Sequence, residues 1–259
     1  MRLSLGEKLS VLYASVIYLF LYLPIAILVL YSFNQSKLNA VWTGFTFDWY
    51  VKLMHNSAVL EATKTSLVVA LISTIAATMI GTLAAVGMYR YHFRGKSVLD
   101  GMLYLPIVIP EIVMGISLLA LFAQLKVPLG YFTLIAAHIT FSVPFVIVVV
   151  KARLAGFDRS IEEAAMDLGA TPWQTFVKVT IPVIAPGIVA SALLAFTLSI
   201  DDVIISFFVA GPASATLPLK IFSMVKFGVT PEINALSTLM LFVTLFIVII
   251  AERIRMRKN

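Results

Sequence analysis

Residues 157–182 read FDRSIEEAAMDLGATPWQTFVKVTIP, a polar stretch set between two long apolar runs at about 131–150 and 186–208. Its punctuation is dense. Ser160 is placed to cap a helix, with Glu163 three residues on to complete a capping box. That helix extends through Leu168 and stops at Gly169, a residue suited to left-handed backbone just past a helix end. Thr171 then caps a second helix, Pro172 takes its first position, Gln174 completes another capping box, and Pro182 ends it. The segment reads as helix, glycine turn, helix, and it carries Ala164, Ala165, Met166, Leu168 and Trp173 outside the apolar runs. Local physics leaves two readings of such a knob. Either it inserts into a partner's groove, or it folds back onto the ends of its own helices.

Outward from this loop the chain is apolar. Of 259 residues, 61% are hydrophobic and 12% charged, and the mean hydropathy is +1.01. Soluble domains carry about 25% charged residues, and a fold of this length lacks the interior to hide so much apolar surface. A soluble enzyme, a disordered chain and a nucleic-acid-binding domain are all excluded. Crossing a bilayer takes roughly 20 apolar residues in a helix, and six segments qualify, at about 11–31, 66–89, 102–125, 131–150, 186–208 and 234–251. The first is longer than the roughly 7–15 apolar residues of a signal peptide and no A-x-A-like site follows it. It reads as a retained span. The expected fold is all-α, a polytopic membrane protein of six transmembrane helices.

Nineteen Lys and Arg against thirteen Asp and Glu give a net charge of +6. In this setting the excess reports topology. With six spans both termini share one side, and that side holds 13 of the 19 basic residues, every Arg included, from Arg2 and Lys8 to Arg257 and Lys258; the other side holds the remaining 6, Lys37 among them. Basic residues collect on the cytoplasmic side, so both termini and the 157–182 loop are expected there. With no Cys, disulfides and thiolate metal sites are excluded. Within the spans, Ser73, Ala77, Gly81 and Ala85 form a small-residue stripe that lets another helix approach closely. Pro106 and Pro110 are expected to break the third span, and Pro144 lies in the fourth.

Glu163-Ala164-Ala165, then Gly169, then Ile181-Pro182, resembles the EAA loop of bacterial ABC-importer permeases. In that family the loop is the coupling helix seated in a cleft of the cytoplasmic ATPase, so the resemblance assigns Glu163, Ala164, Ala165, Gly169, Ile181 and Pro182 to ATPase coupling and favours docking over packing. Further segments narrow the likeness: YSFNQSKL at 31–38, YRYHFRG at 89–95, LPIVIPEIVMGISLL at 105–119, HITFSVPFV at 138–146, FTLSIDDVIISFFVAGP at 196–212 and PEINALST at 231–238. They resemble spermidine/putrescine permeases, the second permease subunit specifically, over nearly the whole chain. The resemblance implies the type I ABC importer permease fold in the inner membrane, with residues 1–259 as one transmembrane permease domain and 157–182 as the coupling loop within it. It also implies a complex with a second homologous permease, two copies of a cytoplasmic ATPase and a periplasmic polyamine-binding protein, and no nucleic acid.

Active import needs an energy source. Gly95-Lys96-Ser97 resembles the end of a P-loop, but position 90, where the first glycine is required, holds Arg90 and no strand precedes it. It reads as a solvated basic turn. His55, His92 and His138 are scattered, and neither HExxH nor G-x-S-x-G is present. No catalytic or metal site is expected. ATP and Mg²⁺ belong to the partner ATPase, which leaves this chain without a cofactor and without enzymatic activity.

Three acids lie inside the spans: Glu111 in the third, Asp201 and Asp202 in the fifth. Placing an acid at the bilayer centre costs roughly 2.5–3.5 kcal/mol on insertion scales, and no Lys or Arg shares those spans. Acids placed there are expected to face a cavity and meet a cation; polyamine ammonium groups suit them through charge-assisted hydrogen bonds. Asp201 and Asp202 are adjacent, so on a regular helix they point about 100° apart. Both face one lumen only where the helix unwinds; otherwise one lines the path and the other satisfies a neighbour. The competing reading leaves the acids protonated, or bonded to Thr197, Ser199, Ser206 or the partner permease. Rival cargoes are another small cation or an organic solute. A rival class is an autonomous channel or secondary carrier, and an intramembrane enzyme has no catalytic constellation to support it.

Overall fold

The computed structural model describes residues 5–36, 41–226 and 228–256. Arg2, Lys37, Arg257 and Lys258, counted above in the charge balance, lie outside the described residues. The described elements are helical: α1 (Leu5–Tyr31), α2 (Asp48–His55), α3 (Ser57–Arg90), α4 (Lys96–Val108), α5 (Glu111–Gln124), α6 (Tyr131–Leu154), α7 (Ser160–Asp167), α8 (Pro172–Thr175), a π-helical turn (Phe176–Thr180), α9 (Ile181–Asp201), α10 (Ile204–Val209), α11 (Leu217–Val225) and α12 (Pro231–Met256). The chain divides into two compact units, one from residues 1–60 with 221–249, the other from 61–220 with 250–259.

In the first unit α1 is apolar all round, with Tyr13, Tyr18, Phe20 and Tyr22 exposed among leucines, as befits a helix solvated by lipid rather than by a protein core. Beyond it the chain folds on Asn34. The Asn34 side chain accepts from Thr43 N and donates to the Val41 carbonyl, its own carbonyl accepts from Trp49 Nε1 at 2.8 Å, and an isolated antiparallel bridge pairs it with Phe45. Asn56, just after α2, donates to Glu232 at the start of α12.

The second unit is organised around α6. One apolar cluster joins Ala77, Ala85 and Val86 of α3 to Val146, Ile147, Val150 and Leu154 of α6 and Ile184 and Ala195 of α9. The other joins Val69, Met114 and Phe122 to Leu134, Ala137 and Phe141 of α6 and Ile205 and Val209 of α10. Lipid tails are as apolar as leucine, so close approach rather than hydrophobic burial holds such helices together. The small-residue stripe on α3 serves that purpose: a Cβ at Gly81 would lie 2.6 Å from Val146 Cγ1. Gly115 of α5 meets Phe208 of α10 in the same way, at 2.5 Å.

Four described helices are long and apolar enough to cross a membrane: Gly6–Tyr31, Ser57–Arg90, Tyr131–Leu154 and Pro172–Asp201. The third expected span is a helix pair, Lys96–Val108 and Glu111–Gln124, bent by 107°. Ile109 before Pro110 is extended, with ψ 132°, as the proline ring requires of its predecessor. Pro106 was expected to share in that break but rides within α4, just as Pro144 rides within α6. Pro182 does not end the second helix of the polar loop either. Helix continues from Pro172 to Asp201 because the π turn at 176–180 intervenes, the Ile181 N–H reaching back five residues to Phe176 O. The wider turn takes the Lys178 carbonyl away from the proline ring that would otherwise collide with it.

Candidate functional site

The fifth expected span breaks where its two acids stand. α9 ends at Asp201, Asp202 is extended (φ −67°, ψ 127°), and α10 begins two residues later. No proline or glycine lies at this break; side-chain partners hold it. One Asp202 carboxylate oxygen accepts from Ile205 N at 3.1 Å, and the other accepts from Ser206 N and Ser206 Oγ, both at 2.7 Å. Two N–H groups in the first turn of α10, which have no partner in their own helix, are thereby satisfied.

Behind Asp202 runs a buried polar chain. His138 of α6, 2% exposed, places Nε2 3.1 Å from Ser206 Oγ and 3.5 Å from the Asp202 carboxylate. Its Nδ1 lies 2.6 Å from Ser199 Oγ, which in turn meets Ser73 Oγ of α3 at 3.1 Å. Because the Ser206 hydroxyl hydrogen goes to Asp202, the Ser206 oxygen accepts from His138 Nε2–H, leaving Nδ1 to accept from Ser199. Three helices, α3, α6 and α9, thus converge on the break. In the sequence His138 stands as one of three scattered histidines. The signal was its place inside an apolar run, where an ionisable ring is costly and needs partners.

Glu111, Asp201 and Asp202 all line one cavity of about 290 Å³, with Phe141 and Thr197 beside them. Glu111 opens α5 directly after the Pro110 break, so the two broken helices contribute the three carboxylates. Glu111 and Asp201 are exposed to this space, whereas Asp202 is buried and committed to α10. The helix unwinds at Asp202, which turns its carboxylate onto α10 and leaves Asp201 facing the cavity. Among the described residues no Lys or Arg lines the cavity, so it is suited to hold positive charge by hydrogen bonds from ammonium groups. Among the described residues no group of three His, Cys, Asp or Glu is placed to hold a metal ion.

The polar loop keeps its glycine turn. Gly169 has φ +89°, and the Gly169 N–H bonds to Met166 O while the Ala170 N–H bonds to Ala165 O, the paired C-terminal bonds of a Schellman cap. Thr171 and Gln174 form their reciprocal capping box. The first box does not form: Asp158, not Ser160, supplies the cap, its carboxylate accepting from Ser160 N at 2.9 Å. That bond holds the Asp158 carboxyl below its usual range. Asp158 wins because an aspartate two residues ahead of an amide closes a tight local turn. Glu163, Ala164, Gly169 and Pro182 are exposed, while Ala165 and Ile181 are half-buried. Leu168, 90% exposed, and Trp173, 70% exposed, project at the tip. Glu162, indistinguishable from Glu163 by local pattern, is the buried acid of the pair.

Comparison with known proteins bears on both regions. Residues 77–256 match the family described as "Binding-protein-dependent transport system inner membrane component". The chain is 48% identical over 255 residues, 98% of its own length and 97% of the relative's, to the spermidine/putrescine transport system permease protein PotC of Escherichia coli (strain K12). It is 45% identical over 252 residues, 92% of its length and 90% of the relative's, to the putrescine transport system permease protein PotI of the same organism. Its fold is similar to a solved bacterial ABC transporter involved in the import of the acidic polysaccharide alginate, with TM-score 0.75 at 19% identity over 96% of this chain and 95% of that one.

Proposed function

Given that the chain belongs to the family of inner membrane components of binding-protein-dependent transport systems and has the type I ABC importer permease fold, we propose that it moves polyamines, spermidine or putrescine, inward across the inner membrane as one permease of an ATP-driven importer. The observation that carries the substrate is the cavity with three carboxylates and no basic residue, set where two apolar helices are broken. A diammonium or triammonium chain passing it exchanges water for Glu111 and Asp201, with Asp202 behind them adding charge while it holds the break open. An anion would find no donor side chain of opposite sign there. Near-midplane sites at broken helices are where transporters release backbone groups and acids to a substrate without exposing them to lipid.

In this reading the chain crosses the membrane six times with both termini cytoplasmic, the bent α4–α5 pair and α12 supplying the third and sixth crossings. The 157–182 loop docks in the ATPase, with Glu163, Ala164, Ala165, Gly169, Ile181 and Pro182 at or beside the contact; what supports docking is its solvent-facing apolar tip at Leu168 and Trp173. The partners are a second homologous permease, two ATPase copies that bind ATP and Mg²⁺, and a periplasmic polyamine-binding protein. This chain catalyses no reaction and holds no cofactor.

The test is uptake of labelled spermidine and putrescine by uptake-deficient bacteria carrying the whole transporter, with Glu111→Gln and Asp201→Asn in this chain. Saturable uptake whose KM rises in both variants, at unchanged complex assembly, is expected. Uptake unchanged in both would remove the carboxylates from the path. No uptake of either polyamine by an assembled, ATP-hydrolysing complex would discard the cargo.

A further inference from the structure

We propose that Arg90, Glu162 and Thr180 form a joint that fastens the docking loop to the cytoplasmic end of α3, so that displacement of the loop is passed to α3 as well as to the helices it joins in the chain. The proposal rests on the reading of 157–182 as the ATPase-docking element. Chain connectivity ties that loop only to α6 before it and α9 after it; α3 ends at Arg90, far away in sequence. The structure adds a third attachment. Glu162 is buried, 8% exposed, beside the exposed Glu163. Its carboxylate accepts from the Arg90 guanidinium and from the Thr180 hydroxyl, and Arg90 Nη2 also donates to Thr180 Oγ1 at 2.8 Å. The Arg90 guanidinium lies 5.6 Å from the centre of the Phe176 ring. Phe176 and Thr180 are the first and last residues of the π turn, so the irregular turn and the far helix meet at one guanidinium.

The residue next to it is held as firmly. Arg159 Nη2 donates to the Tyr89 carbonyl at 2.5 Å and its guanidinium lies 4.6 Å from the centre of the Tyr89 ring, while the Tyr89 hydroxyl donates to the Phe157 carbonyl at 3.1 Å. Two consecutive residues at the end of α3 are therefore gripped from both ends of the loop, by Phe157, Arg159 and Glu162 on one side and Phe176 and Thr180 on the other. An ion pair removed from water gains little net stability over an apolar contact, and its best-attested use is to fix one register against others. Here it fixes α3 to the loop. α3 also carries Ser73 of the chain that ends on Asp202, so it spans from the joint to the break beside the carboxylate cavity.

The experiment uses the assembled transporter in proteoliposomes and reads two quantities: stimulation of ATP hydrolysis by the loaded binding protein, and spermidine uptake. Glu162→Gln and Arg90→Gln are each expected to leave co-purification of the ATPase intact while stimulation and uptake fall about tenfold. The double variant is expected to lose no more than the worse single one, because the two residues act through each other. Lys151→Gln, which removes the α6 partner of Asp100 on α4 without touching the loop, is expected to change neither quantity. Unchanged stimulation and uptake in both single variants would overturn the joint, and so would additive losses. Loss of ATPase co-purification would overturn it too, by making the cluster a folding element. Failure of the unmodified chain to bind the ATPase or to respond to the binding protein would overturn the docking reading instead.

Discussion

The molecule contains two helix–break–helix junctions that solve the same backbone problem in opposite surroundings. Between α7 and α8 the break is solvated, and residues within a few positions of it make every bond it needs: the left-handed glycine at 169, the two C-terminal bonds to Met166 and Ala165, and the Thr171–Gln174 box. Between α9 and α10 the break lies in an apolar segment. Its amides are met by Asp202, Asp202 is met by the Ser206 hydroxyl, and Ser206 by His138 from a helix about sixty residues earlier, with Ser199 and Ser73 behind. Where water can serve the spare carbonyls and amides, a local code suffices. Where water is scarce each spare group needs a protein partner, and a break becomes a tertiary structure in its own right.

The contrast is tested by disabling each junction in turn. Asp202→Ala leaves the Ile205 and Ser206 amides and the Ser206 hydroxyl without their acceptor, and is expected to cost on the order of 3 kcal/mol, read as lowered thermal stability of the detergent-solubilised protein. A stability loss no greater than that of Asp201→Asn would show that the break needs no buried partner. Glu111→Gln and Asp201→Asn, exposed to the cavity and uncommitted to the helices, should change stability by under about 0.5 kcal/mol. Each should raise the polyamine uptake KM about tenfold, roughly 1.4 kcal/mol. Gly169→Ala faces no atom within 4 Å, so its cost is the left-handed backbone alone, about 1 kcal/mol. That loss should stay confined to the loop when followed by hydrogen exchange. The smallest effect belongs to Asp158. The Ser160 amide holds its carboxyl below the ordinary value, so its cap is intact above the unfolded pKa of about 3.9 and is lost as pH falls through the lower folded value. Amide protection at the start of α7 should therefore be flat from neutral pH down to about 4 and drop below it, and Asp158→Asn should abolish that drop.

The same contrast explains what the sequence made legible. Gly169, Thr171 with Gln174, and the break at Pro110 follow from rules that act over four residues or fewer, and the structure places each as expected. The expected Ser160 cap failed within that range only because Asp158 competes for the same turn. The break at Asp202 had no such signal: SIDDVIIS contains neither proline nor glycine, and the unwinding depends on partners that only the packed fold supplies. Pro182 misled for a related reason, since the π turn that accommodates it carries Thr180 and Phe176 into the Arg90 cluster. The three acids themselves stood out, because an ionised group in an apolar run is costly wherever it lies; which of them was free for a ligand did not.

We propose that this chain passes polyamines only when its 157–182 loop is driven by an ATPase. The direct measurement is spermidine uptake into proteoliposomes holding the chain with its permease partner, ATPase and binding protein, set against the same complex carrying Gly169→Trp. Saturable, ATP-dependent uptake that the substitution abolishes while the carboxylate cavity is untouched is expected. Uptake that persists without ATP, or that survives Gly169→Trp at full rate, would contradict it.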